Sequence, residues 1–216
     1  MKKLFCAMMH GIWVFLFYIV NICSLYSIWS KIYRFFNHSI FSGTPLDVGL
    51  TPEHANKKLS LLKWTKDGKK ELFDAIGSPH WVQYCINQVR HGEEQPKGAL
   101  DCDEFSAWAA AALDNRLCPL ILSVSYRKKG ELLAGGHNVC VYLNKNENTI
   151  YHISNWGIHG PFDDLSELVQ SICESRQAML IGYSIHSRGL KLLRFGVKYP
   201  RDLRSYGLMM LYYSTY

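Results

Sequence analysis

Gly98-Ala-Leu-Asp-Cys-Asp-Glu-Phe-Ser-Ala-Trp-Ala-Ala-Ala-Ala-Leu-Asp-Asn115 is the stretch on which the fold turns. It follows the breaker cluster His91-Gly92-Glu93-Glu94-Gln95-Pro96-Lys97-Gly98, and its alanine-rich body predicts a helix from about Cys102 to Asn115. Downstream the pattern changes to short β-branched and aromatic runs: Ile121–Arg127, His137–Leu143 and Thr149–Trp156. They are separated by the turn-rich Lys128–Gly136 and Asn144–Asn148 segments, so the helix should lead into an antiparallel meander. Asp163 or Asp164 should then cap an amphipathic helix with Leu165, Leu168, Val169 and Ile172 inward, and Ala178–Ile185 reads as a further strand. The fold class is α+β.

Upstream, Thr51-Pro52-Glu53 opens a helix towards Leu62, and Asp67–Ile76 offers a second with Leu72, Phe73 and Ile76 on one side. The run from Leu4 to Trp29 contains no charged residue and is long enough to cross a hydrocarbon core of roughly 30 Å as one helix. A cleaved signal peptide should have a shorter apolar region, about 7–15 residues, ending in a small-x-small site. The expectation is therefore an uncleaved single-pass anchor with the lipid bilayer as its partner. Lys2 and Lys3 on one side balance Lys31 and Arg34 on the other, so charge assigns no orientation. The expected organisation is an anchor and juxtamembrane segment over 1–36, a linker and first helix over 37–60, and the main domain over 61–216.

The 216 residues, 48% hydrophobic and 19% charged, exclude a disordered or collagen-like chain. A formal charge of +6 is too small to imply nucleic-acid binding, and no such partner is expected. The basic run Arg188, Lys191, Arg194, Lys198, Arg201 and Arg204 reads as a solvated face or a contact for anionic headgroups, and Tyr199, Tyr206, Tyr212 and Tyr213 are interleaved with it. The seven cysteines form no CxxC pair and no zinc spacing, so neither a metal nor an organic cofactor is expected.

Three residues in chain order suggest chemistry. A thiol at a helix N-terminus, here Cys102, sees partial positive charge that favours the thiolate; His137 opens a strand after a glycine pair, and Asn155 ends the next one. An imidazole can accept the thiol proton, and a third polar group can hold its tautomer. If Leu143 lies opposite Thr149, His137 faces Asn155; a one-residue slip would instead put His152 and Ser154 on the His137 side. The first register is expected, because it buries Tyr151 and Ile153 beside Val139 and Val141. Asp101 and Asp103 oppose thiolate formation.

The runs Gly98–Ser106, Gly135–Val139 and Ile153–Trp156 resemble the transglutaminase-like cysteine-peptidase superfamily, particularly its small bacterial and phage members. The likeness covers roughly residues 79–162. It implies a papain-like core in which Cys102 is the nucleophile and His137 the base. The chemistry would be acyl transfer through a thioester, on a peptide or protein amide. The family's third member is usually Asp; Asn155 takes that place here, with Ser154 the alternative. Cys102 N–H would be one oxyanion donor, and Gln83, Gln88 or Trp81 the second. Two other readings follow from the same residues: a catalytically silent membrane adaptor of papain-like fold, and a Cys-His cell-wall amidase, similar in residue order.

Overall fold

The computed structural model describes residues 2–65, 76–98 and 100–197. Most of the expected Asp67–Ile76 helix lies outside them, as do Lys198, Arg201, Arg204 and the C-terminal tyrosines. The chain is α+β. Helices α1 (Lys2–Ile22), α2 (Leu25–His38), α3 (Pro52–Leu59), α4 (Pro79–Arg90) and α5 (Cys102–Ala112) precede strands β1 (Leu120–Lys128), β2 (Gly135–Asn144), β3 (Thr149–Ser154) and β4 (Gly157–Phe162). Then come α6 (Leu165–Glu174), β5 (Ala178–His186) and β6 (Leu192–Gly196). The strands form one antiparallel sheet in the order β4-β3-β2-β1-β5-β6.

Both faces of this sheet are covered. On one, Trp108 and the alanines of α5 pack with Ile121, Cys140, Tyr142 and Ile153, backed by Trp81, Val82, Cys85 and Ile86 of α4. On the other, Leu165, Leu168, Val169 and Ile172 of α6 pack with Leu122, Val124, Val139, Val141 and Ile150, as their helical spacing predicts. The segment expected as linker and first helix joins the first core: Leu50 N–H donates to Ala112 O, Asp114 N–H donates to Leu50 O, and Ala55 and Leu59 of α3 are buried. α3 ends at Leu59, three residues short of its expected end.

The structure corrects the β2–β3 register. Asn144, not Leu143, pairs with Thr149, and Val141 pairs with His152. His137 therefore shares a face with His152 and Ser154, as in the slipped register, while Tyr151 and Ile153 lie on the α5 side. The tighter Lys145–Asn148 loop accommodates this with Asn148 in the left-handed region, at φ 53°.

The uncharged Leu4–Trp29 run does not form one straight helix. It breaks between α1 and α2 at Ser24, which has φ 52°, and the two helices meet at 67°. Among the described residues no single helix is long and apolar enough to cross a membrane, although the bent pair is by length and composition. α1 lies across β5 and β6: a Cβ at Gly182 would collide with the Phe17 ring, and Tyr18 meets Phe195 edge-on. α2 is tied down by polar groups. Ser27 Oγ contacts His186 Nδ1 at 3.3 Å, Ser30 Oγ accepts from Ile76 N–H at 3.0 Å, and Arg34 Nε donates to Ile76 O at 3.1 Å.

Candidate functional site

Cys102 stands where the sequence places it, at the first turn of α5. The helix begins there because Asp101 is its N-cap: its carboxylate accepts from Asp103 N–H at 2.9 Å, while Glu104 reaches back to accept from Asp101 N–H at 3.1 Å. Three carboxyls are thus buried together, with Gly77 so close to Glu104 that a Cβ would collide with it. Burial, and then the neighbouring charges of Asp101 and Asp103, push the Glu104 carboxyl well above the usual carboxylate range. Cys102 Sγ donates to Asp103 Oδ1 at 3.6 Å.

The residue that β2 delivers to this helix end is Asn138, whose Nδ2 donates to Asp103 Oδ1. His137 is its neighbour in sequence, and successive strand residues point to opposite faces. Accordingly His137 belongs to the α6 side, where its ring lies 4.9 Å from that of Trp156. Cys102 and His137 are separated by the sheet.

The remaining expected site residues are occupied elsewhere. Gln83 is fully engaged: its Oε1 accepts from Trp108 Nε1 and Asp47 N–H, and its Nε2 donates to Asp47 Oδ2 and Asn87 Oδ1. Trp81 is buried against Phe41 and Tyr84, and Gln88 is half-buried late in α4. Ser154 Oγ accepts from Trp156 N–H at 3.2 Å, fixing the β3–β4 turn. Asn155 sits in that turn with its Oδ1 buried and unpartnered.

A cleft of about 710 Å³ opens on the α6 face. β1 contributes Tyr126 and Lys128, β2 His137, β3 His152, the turn Trp156, β4 His159 to Phe162, and the end of α6 Ser171, Ile172, Ser175 and Arg176. None of the lining residues is acidic. The Arg176 guanidinium lies 4.9 Å from the Trp156 ring and 5.5 Å from the Tyr126 ring, and Nη1 donates to Ile172 O and Ser175 Oγ. Its Nη2 is buried with no hydrogen-bond partner among the described residues. His152 stacks on His159 at 4.8 Å, and the same holds for its buried Nδ1.

Burial first, and then the positive charge of Arg176 and the other two histidines, hold the His137 imidazole well below its ordinary pKa. Burial, His159 and Arg176 lower His152 to about 3. Both rings are neutral at pH 7. Sequence reading did not single out His159 or Arg176, because neither belongs to a motif. The available signal was a histidine pair flanking the Asn155-Trp156-Gly157 turn, with no acidic residue from Asn148 to Phe162.

Among the described residues the one cluster able to offer a metal three ligand atoms is Asp101, Cys102 and Asp103, all within 4.8 Å. Its carboxylates already serve the helix cap and Asn138. No protein-family model matches the chain, and no match was found among curated proteins.

Proposed function

We propose that this chain is a membrane-associated binding domain rather than a thiol catalyst, with a helix-and-sheet layout resembling the transglutaminase-like core. The observation that carries this reading is the placement of Cys102 and His137 on opposite faces of the sheet. A base must come within hydrogen-bond reach of the proton it takes. A rotamer change does not carry a side chain through a sheet packed on both faces, and the acidic neighbours of Cys102 further disfavour a spontaneous thiolate.

Membrane association is supported by the polarity of α2, which is reversed relative to a helix of a water-soluble surface. Ser27, Ser30 and Arg34 face the protein and hydrogen-bond there. Leu25, Ile28, Trp29, Ile32, Phe35 and Phe36 are exposed, continuous in kind with Phe15, Leu16 and Ile19 of α1. Apolar patches of this extent mark a contact surface. Lying in the interface plane suits two bent helices that remain docked on the sheet.

The test is Cys102 alkylation by iodoacetamide as a function of pH, read by peptide mapping so that the other cysteines do not confuse it. An ordinary thiol profile, rising about tenfold per pH unit through the neutral range and unchanged in His137→Ala, is expected. Fast alkylation below pH 7 that slows in His137→Ala would overturn the reading and restore acyl-transfer chemistry.

A further inference from the structure

We propose that the cleft on the α6 face binds a small organic anion from the aqueous phase, its carboxylate or phosphate held by Arg176 and His152 and its apolar body lying against Trp156 and Phe162. The inference rests on the binding-domain reading and gives it a ligand class.

Two residues that line one cavity, Arg176 and His152, each carry a buried polar atom, Nη2 and Nδ1, with no hydrogen-bond partner among the described residues. Such groups carry the full cost of lost hydration, so a native structure that keeps two of them together calls for a ligand or ordered water. Their chemistry selects the ligand. A guanidinium can only donate, and a histidine ring can donate from one nitrogen while neutral and from both once an anion favours its protonation. With Lys128 at the rim and no carboxylate in the lining, Arg176 has no internal counter-ion there.

The guanidinium is already oriented. Nη1 is fixed on the last turn of α6, and the two aromatic rings restrict the plane, so only a small movement of the guanidinium or its cover is needed for a ligand to reach Nη2. The cavity is larger than an inorganic oxyanion requires and falls in the range of small-molecule sites. Trp156, 64% exposed at its mouth, offers a flat surface for a ring or chain.

The sheet also decides where the ligand comes from. α1 packs over Gly182, whose strand neighbours Ser184 and His186 point to the α2 side, whereas the cleft lies beneath the opposite face with α6. A bilayer lying on α1 and α2 is therefore across the sheet from Arg176. A lipid headgroup in that bilayer does not reach it.

Isothermal titration of the full-length chain in a neutral detergent, with phenyl phosphate and benzoate as probes and benzamide as the uncharged control, tests this. Saturable binding of at least one anionic probe, none of benzamide, and a loss of about tenfold or more in Arg176→Gln are expected. Trp156→Ala should weaken the same probe several-fold while leaving the thermal midpoint in place, which separates loss of the site from loss of the fold. No saturable binding of either anion at millimolar concentration, or affinity unchanged in a folded Arg176→Gln, would overturn the site. Displacement of phenyl phosphate by phosphatidic-acid vesicles would overturn the aqueous source. The alkylation experiment is independent of all these outcomes: a His137-dependent thiolate sinks the binding-domain reading, whereas a missing probe signal sinks only the anion site.

Discussion

The helix start under one face of the sheet and the cleft on the other handle buried polar groups in opposite ways. On the α5 face each carboxylate at the helix start has an internal task, and Gln83 uses both of its amide atoms to join α4, α5 and the Asp47 loop. On the α6 face a guanidinium nitrogen and an imidazole nitrogen of cleft-lining residues are buried without partners among the described residues. The motif that draws the eye in the sequence lies in the first of these regions. Unspent hydrogen-bonding capacity beside an open cleft is the better guide to where a ligand goes.

Two tryptophans give that comparison its largest test. Trp108 is fully buried under the sheet and donates to Gln83 at 2.9 Å, so Trp108→Ala removes a large apolar volume and one of the two hydrogen bonds that Gln83 Oε1 accepts. A loss of about 3–5 kcal/mol is expected, a large share of the roughly 5–15 kcal/mol that holds an ordinary domain together. Trp156→Ala, at the cleft mouth, should change stability by less than about 0.5 kcal/mol. Denaturant unfolding of both variants measures the contrast; equal losses would mean that Trp156 is structural and that the faces are not specialised as argued.

Much of the architecture was legible in the sequence. The start of α5, the three-strand meander, α6 with its four inward residues and β5 all follow from capping, turn chemistry and periodicity. The register was not, and the reason is physical. Nearly all of β2 from His137 to Leu143 is buried because helices cover both faces, so the strand shows no polar–apolar alternation to set its phase. A one-residue difference in the Asn144–Asn148 turn then exchanges His137 for Asn138 beside α5. The break at Ser24 was hidden for a related reason: Cys23-Ser24 sits within an apolar run, and nothing local marks the left-handed residue that bends it. β4 and β6, short and at the sheet edges, gave no clear pattern, and α4 was missed despite Pro79 at its first turn.

The faces should also respond to pH with opposite sign. On the α6 face His137 and His152 are buried and neutral, with His152 lowered to about 3. A depressed histidine contributes stability that is fully present above the unfolded-state pKa near 6.5 and is lost as pH falls, at up to about 1.4 kcal/mol per pH unit for each ring. Glu104 does the reverse: its raised pKa favours the fold at low pH, and the contribution is lost as pH rises from the unfolded carboxyl range towards the folded value. Urea unfolding between pH 4.5 and about 6.5 should therefore show stability falling towards acid, with a shallower slope in His152→Gln. A saturating anion in the cleft should reduce the acid loss, since it favours the imidazolium. A slope unaltered by the His152 change would place the acid sensitivity outside the cleft.

The smallest effect concerns the helix cap, where two roles of one residue can be pulled apart. Asp101 accepts the Asp103 N–H that starts α5, and its charge also helps keep Glu104 protonated. Asp101→Ala removes the cap and should cost about 1 kcal/mol. Asp101→Asn keeps an oxygen for the N–H but removes the charge, so its stability near neutral pH should lie within about 0.5 kcal/mol of the parent, since asparagine caps about as well as aspartate. Its loss of stability with rising pH should be smaller, because Glu104 then ionises with one fewer negative neighbour. If Asp101→Asn destabilised as much as Asp101→Ala, the carboxylate charge itself would be holding the helix start. The acidic cluster beside Cys102 would then be an electrostatic feature of that end of α5 and not only a hydrogen-bonded cap.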